Sequence, residues 1–383
     1  MVNGGHFLLP FTDYLLHRDA FCEVYYSYMV EELAQKISVR RGQNIAARNA
    51  GLAILVFVTF IVGLFFIDVI KQNLGLEKRP VTFGATFSKP YAESMGLDWK
   101  KAYIAALDDL SLRRFRIPAY WDAIEPKSGV FDYADLDWQV AEAKKRHAKI
   151  IMAIGRKLPR WPECHVPAWT QGMKEAAVRA RVITMLEDVV RRYKTSETIV
   201  AWQVENEPLF DFGICPHPDR EFLKREVRVV RAADPTRRII ISESGELSTW
   251  VDAAGIADII GISAYRSVWG KYIGYFYWPI GPRYYIDRAE AISALIDGIF
   301  ISELQAEPWG TVPLISIDPE RQRTLMNPQR LNDNVDFAEK IGFPEVYLWG
   351  IEWWYWDLQH GRPEMWEAGK RIIQQGKDVR GLF

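Results

Sequence analysis

The chain has 383 residues, 49% of them hydrophobic, and a formal net charge of −1. That composition excludes a disordered chain and gives no basic footprint for nucleic acid; the length fits one large domain or two ordinary ones. All 15 tryptophans lie beyond residue 98, so the first part of the chain is compositionally distinct from the rest.

Residues 1–48 match neither a domain nor a targeting signal, and they are read as an N-terminal cytoplasmic segment without an assigned role. Residues 49–67, NAGLAILVFVTFIVGLFFI, run 19 positions without a charge and without a polar stripe. A soluble core helix would show such a stripe; this is the length and pattern of a single membrane-spanning helix, placed at 49–70 with a linker over 71–80. The run starts too far in for a cleaved signal peptide, and no small-x-small site follows it. Arg40, Arg41 and Arg48 precede it, and Lys71, Lys78 and Arg79 follow. The balance only slightly favours a cytoplasmic N-terminus, which would leave the rest of the chain, 81–383, extracytoplasmic.

From Val81 onward, short apolar runs alternate with helical patterns. The expected strands are 81–87, 112–118, 149–155, 198–204, 238–244, 258–264, 298–304 and 346–352. Between the third and fourth, Val182, Met185, Leu186, Val189, Val190 and Tyr193 recur at helical spacing; Leu136, Val140 and Ala143 do the same after the second. Eight strands alternating with helices in about 300 residues imply a (β/α)8 TIM barrel. A doubly wound sheet is the alternative, but the turn after the first strand, FGATFSKPYAES, lacks its Gly-rich phosphate signature.

In such a barrel, functional groups sit at the C-terminal ends of the strands. Glu207, in IVAWQVENEPLF, falls at the end of the fourth strand; Glu303, in FISELQAEPW, ends the seventh. They are 96 residues apart, about three βα units of roughly 31 residues. Two carboxylates at one barrel face, about 5–5.5 Å apart, suit retaining glycoside hydrolysis, in which one donates a proton and the other attacks the anomeric carbon.

On these residues the chain resembles the clan of TIM-barrel retaining glycosidases that includes cellulase-like and β-galactosidase-like families. The resemblance spans about residues 81–370 and makes Asn206-Glu207-Pro208 the strand-four motif, with Glu207 as acid/base and Glu303 as nucleophile. FRIPAYWDAIEPKSGVFDYADLDW looks like the second-strand segment, in which Arg116 supports the nucleophile and Trp121 lies near the substrate. The resemblance also implies that Asn206 bonds the sugar 2-hydroxyl, that Tyr265 hydrogen-bonds the nucleophile and that Trp349 floors the sugar subsite. Two positions depart from the clan: Ser263 stands where a histidine often precedes the strand-six tyrosine, and Arg156 follows MAIG where a strand-three histidine is expected. They bear on sugar and linkage specificity rather than on the pair.

Other residues carry blander expectations. Glu205 is read as a supporting group turned to the interior, and Glu307 as a loop residue competing with Glu303. Trp353, Trp354 and Trp356 either line outer subsites or pack, and the aromatic stretch 274–285 is a lid, a subsite wall or a membrane-facing patch. Cys164 and Cys215 fall in neighbouring loops at the barrel mouth. An extracytoplasmic disulfide is one reading and free thiols another; with His165 and His217 their spacing matches no standard zinc pattern. The chain is therefore expected to be a membrane-anchored retaining glycoside hydrolase acting on an oligo- or polysaccharide, with no cofactor and no metal. A transglycosylase, a carbohydrate-binding pseudoenzyme and a tethered scaffold are the competing classes.

Overall fold

The computed structural model describes residues 45–376, together with 31 and 382. The chain divides into two units at Leu76/Glu77. In the first, a helix α1 runs over Ile45–Asn73, and Leu52, Val56, Phe57 and Phe60 on it are each at least 60% exposed. Among the described residues no helix is long and apolar enough to cross a membrane. The expected 49–70 element is thus helical, as part of a longer helix, while a crossing is not shown. Most of the segment 1–48 lies outside the described residues.

In the second unit eight parallel strands close into a barrel: β1 (Thr82–Thr86), β2 (Arg114–Pro118), β3 (Lys149–Ile154), β4 (Ile199–Val204), β5 (Arg238–Ser244), β6 (Ile259–Ala264), β9 (Gly298–Gln305) and β10 (Glu345–Trp349). β1 completes the ring by pairing with β10, Thr82 opposite Glu345, and with β2, Thr86 opposite Arg116. A short antiparallel hairpin, β7 (Ser267–Gly270) and β8 (Gly274–Tyr277), stands outside the ring.

The strands read as near-continuous apolar runs because both faces are buried. The outer face meets helices such as α2 (Glu175–Tyr193), whose stripe Val178, Val182, Met185, Leu186, Val189, Val190 and Tyr193 is buried. The inner face holds one residue from each of six strands, Ile151, Ala201, Ile240, Ile259, Phe300 and Tyr347. Tyr347 leaves no room for a side chain at position 84, where a Cβ would lie 2.7 Å from its ring. Two residues further along β4 and β5, on the same faces, the inward positions become polar: Gln203 and Ser242. The apolar plug therefore ends below a polar mouth.

Seven of the eight expected strands match within two residues at each end. The eighth, expected over 346–352, stops at Trp349: Gly350 has φ +127, and Ile351 begins the helix α3 (Ile351–Gln359). Apolar periodicity over WGIEWW does not separate a buried strand from a buried helix.

Candidate active site

The mouth is built on Arg116 at the end of β2. Its guanidinium is wholly buried and donates from Nη1 to Glu303 Oε1 at 2.7 Å, from Nε to Gln203 Oε1 at 2.6 Å and from Nη2 to Asn206 Oδ1 at 2.5 Å. Two strands, β9 and β4, thus deliver partners to one cation on a third, which fixes them against each other. Tyr265, just past β6, donates its hydroxyl to the other oxygen of Glu303, Oε2, at 2.7 Å. Burial and the Glu303 charge push that phenol well above its ordinary value, so it remains a donor.

How Glu303 reaches this position is a matter of register. Ile262 pairs with Ile301, but Ser263 pairs with Glu303, so β9 carries one extra residue there. Strict alternation from the inward Phe300 would bring residue 302, not 303, to the same face; the bulge re-aims the strand and presents the glutamate.

Glu207 approaches from the end of β4 on a strained turn. Glu205 and Glu207 have φ of 59 and 44, values non-glycine residues adopt rarely and at a cost of about 1–3 kcal/mol each. The turn is pinned from several sides. The Glu205 carboxylate accepts the backbone N–H of Arg156 at 2.8 Å and of Lys157, and it lies so close to Gly155 that a Cβ there would sit 2.6 Å away. Lys157 donates to the carbonyls of Glu207 at 2.9 Å and Phe210 at 2.6 Å. Ser242 Oγ accepts the Glu207 N–H at 3.0 Å and donates to Asn206 Oδ1 at 3.0 Å.

The Glu207 carboxyl accepts the Ser263 hydroxyl at Oε1. Burial, then the Glu303 charge, push it up to about 7, against Ser263, Lys157 and Arg116, which favour the ionised form. Two carboxyls share one mouth with unlike surroundings: Glu303 against a guanidinium and a phenol, Glu207 with a serine hydroxyl and facing that charge. Divergent environments of this kind separate an acid from a base. Replacing Ser263 with alanine removes a bond to the charged form, so the Glu207 pKa should rise. The alkaline limb of kcat/KM on substrates needing protonation should then move to higher pH; a limb that stayed or moved down would remove Ser263 from this role.

The structure brings together Arg116, Asn206, Glu207, Tyr265 and Glu303. Trp349 is placed nearby, its ring 6.3 Å from Tyr265, but the guanidinium of Arg160 lies over it at 4.0 Å. Arg160 also stacks on Tyr91 at 3.6 Å and pairs with Glu307 and Glu352. Glu307 is thus the partner of Arg160. Trp121 does not reach the mouth: it is wholly buried, and its Nε1 donates to Glu125 Oε2 at 2.7 Å. Trp353 and Trp354 are core residues of α3, their indoles donating to Gln322 and the Ala306 carbonyl, with Trp356 9% exposed. The 274–285 stretch holds β8 and the start of a helix, Pro282–Ile292. Cys164 and Cys215 form a disulfide joining the loops after β3 and β4.

Ser242, Ser263, Lys157 and the carboxyls of Glu163 and Glu243 were not among the expected site residues. Ser263 is marked only as a departure from the clan's histidine, without a role; serine is too common to stand out at position 242, where only the strand-end rule, applied to β5, could have drawn attention to it. Among the described residues no group of His, Cys, Asp and Glu is arranged to hold a metal.

An eight-stranded parallel barrel with an acidic pair at strand ends four and seven defines a TIM-barrel glycoside hydrolase clan member. A family model for cellulase, glycosyl hydrolase family 5, matches residues 79–274, and the chain belongs to that family. It is similar to an endo-1,4-beta-xylanase C of Phanerodontia chrysosporium, 29% identical over 156 residues. That stretch is 37% of each chain, so the match spans little more than a third of the relative's length. Among solved structures it resembles a GH5_18 protein from Bifidobacterium longum subsp. infantis (TM-score 0.53, 13% identity, 79% of this chain and 80% of that one). It also resembles a β-galactosidase from Halorubrum lacusprofundi (TM-score 0.50, 14% identity, 70% and 52%). At such identities the likeness is one of fold.

Proposed function

We propose that the protein is a retaining glycoside hydrolase, tethered to a membrane through residues 49–67, that cleaves a β-linked oligo- or polysaccharide. The observation that carries this is the unlike treatment of the pair: Glu303 clamped by Arg116 and Tyr265, Glu207 pushed up to about 7. The family's name and that of the xylanase relative support a β-linked glycan as substrate.

In the first step Glu303 attacks the anomeric carbon while the bond to the leaving oxygen breaks and Glu207 gives that oxygen its proton. In the second, Glu207 takes a proton from water, water attacks the same carbon, and the bond to Glu303 breaks. Two inversions leave the configuration unchanged. Arg116 and Tyr265 hold the nucleophile, and an Asn206 N–H meets the 2-hydroxyl, a bond that strengthens as the ring becomes oxocarbenium-like. A 2,4-dinitrophenyl 2-deoxy-2-fluoro-β-glycoside should leave a covalent sugar on the protein, mapped by peptide mass spectrometry to Glu303. A label elsewhere, or turnover of the parent glycoside with no label, would overturn the reading.

The tether rests on the charge-free run 49–67 and on the exposed apolar side chains that the described part of α1 carries. The full chain should sediment with membranes and resist extraction by high salt, whereas residues 76–383 should remain soluble and show a cooperative thermal transition. A truncated chain that aggregates or fails to fold would place α1 in the barrel's core instead.

A further inference from the structure

The mechanism above uses two carboxyls and leaves a third idle. Glu163, in the loop after β3, is 8% exposed, and its Oε2 accepts the Asn206 Nδ2–H at 3.2 Å. The loop is built to put it there. Glu163 has φ 73; its N–H donates to the Arg160 carbonyl at 2.8 Å, and its carbonyl accepts from Leu158 at 2.7 Å. Gly213 faces it so closely that a Cβ there would lie 2.6 Å from the Glu163 Cβ, and the adjacent Cys164 is tied to Cys215. A left-handed glutamate held from three sides is strain kept in place by its surroundings, which is found disproportionately at working sites.

The geometry of Asn206 shows what that work is. Its Oδ1 already accepts from Arg116 Nη2 and Ser242 Oγ, so the amide cannot turn over. Of the two Nδ2 protons, Glu163 takes one, and the direction of the other follows. We propose that Glu163 is a positioning residue that, as the neutral acid, aims the Asn206 amide at the sugar 2-hydroxyl and, once ionised, turns the site off. This rests on the glycosidase reading above.

The groups facing Glu163 explain the switch. Glu303 from β9 and Glu207 from the β4 turn oppose its charge, Lys157 of its own loop and the Asn206 N–H favour it, and the Tyr120 phenol lies near enough to feel it. Burial is the largest influence, and the carboxyl is pushed up to about 8. Below that pH the site holds the neutral acid; above it, a further negative charge sits beside the nucleophile and the Asn206 amide.

The test uses the full chain carrying Glu163→Gln or Glu163→Ala, with 4-nitrophenyl β-glycosides and their 2-deoxy analogues. At pH 6, Glu163→Gln should keep kcat/KM within about threefold. Glu163→Ala should lose about tenfold or more on the parent glycoside and within about threefold on the 2-deoxy one, because the bond it aims is missing there. With 2,4-dinitrophenyl β-glycosides, whose departure needs no proton from Glu207, wild-type kcat/KM should still fall above about 8. Glu163→Gln should abolish that fall. Equal losses on both parent and 2-deoxy substrates would overturn the proposal, as would an alkaline fall that persists in Glu163→Gln and so belongs to Glu243, itself pushed up to about 8. If Glu163→Ala does not fold, the glutamine variant's pH profile decides. Failure of the glycosidase reading would show separately, as wild-type protein whose Glu303 takes no fluorosugar label.

Discussion

Glu303→Ala should lower kcat by roughly 10⁴- to 10⁶-fold, and azide should restore part of it with inversion of configuration. Without the carboxylate no group remains to attack the anomeric carbon from its face of the sugar, and the covalent route closes. What remains is an anion-shaped space between two fixed donors, Arg116 Nη1 and the Tyr265 hydroxyl, which in the wild type grip Glu303 at 2.7 Å each. A small anion placed there takes over both bonds and attacks an activated substrate directly, so a β-glycoside gives the α-azide. The substitution also leaves a buried guanidinium with one partner fewer, and breaking a buried pair costs about 3–5 kcal/mol. Thermal unfolding of the variant should therefore be measured beside its rate, and azide should raise its midpoint. Anomeric configuration by NMR decides the assignment: a retained azide adduct from Glu303→Ala would mean that this residue is not the nucleophile.

What could be read beforehand follows the range of the interactions concerned. Strand and helix positions depend on local patterning: the stripe Val182 to Tyr193 and the runs around Ile150 and Ile240 announce their burial within ten residues or so. The shared placement of Glu207 and Glu303 was legible because a barrel turns even chain spacing into common placement at strand ends. The polar frame was not. Ser263 reaches Glu207 across 56 residues and Asn206 reaches Glu163 across 43; nothing near Glu163 in sequence marks the encounter, and Ser263 stands out only as a departure from the clan's histidine. The bulge in β9 was equally silent, since GIFISELQ reads as an ordinary strand and only its neighbour's register reveals the extra residue. Trp121 illustrates the reverse. It is assigned from resemblance but bonds Glu125 in the core, whereas Trp349 stands beside Tyr265 with the Arg160 guanidinium, itself held by two carboxylates, over its ring. A tryptophan in sequence offers a face; whether sugar or a neighbouring cation occupies it is settled by loops that contribute from elsewhere in the chain.

Glu207→Ala should give the opposite stereochemical signature and a rate loss that depends on the leaving group. On a substrate with a poorly departing alcohol, loss of the general acid should cost about 10²–10⁴-fold. On a 2,4-dinitrophenyl glycoside the first step needs little protonation, so the glycosyl–Glu303 intermediate should form at nearly the wild-type rate. Its breakdown lacks the base that activates water, and it should accumulate as a burst of dinitrophenol followed by slow turnover. Azide needs no base; entering from the face Glu207 has vacated, it should intercept the intermediate and yield the β-azide, with net retention. Ser263 and Ser242 hold the Glu207 side chain and its backbone N–H separately, so truncating the side chain leaves the turn's backbone bonds in place, and the folded barrel should tolerate it better than the loss of Glu303. The pH profile adds an independent check. The wild-type enzyme should lose activity towards poor leaving groups as pH rises through about 7, where Glu207 gives up its proton, and that limb should vanish in Glu207→Ala. A variant without a burst, with an unchanged alkaline limb and an inverted azide product would assign the proton to another group, with Glu163 or Glu243 next to be tested.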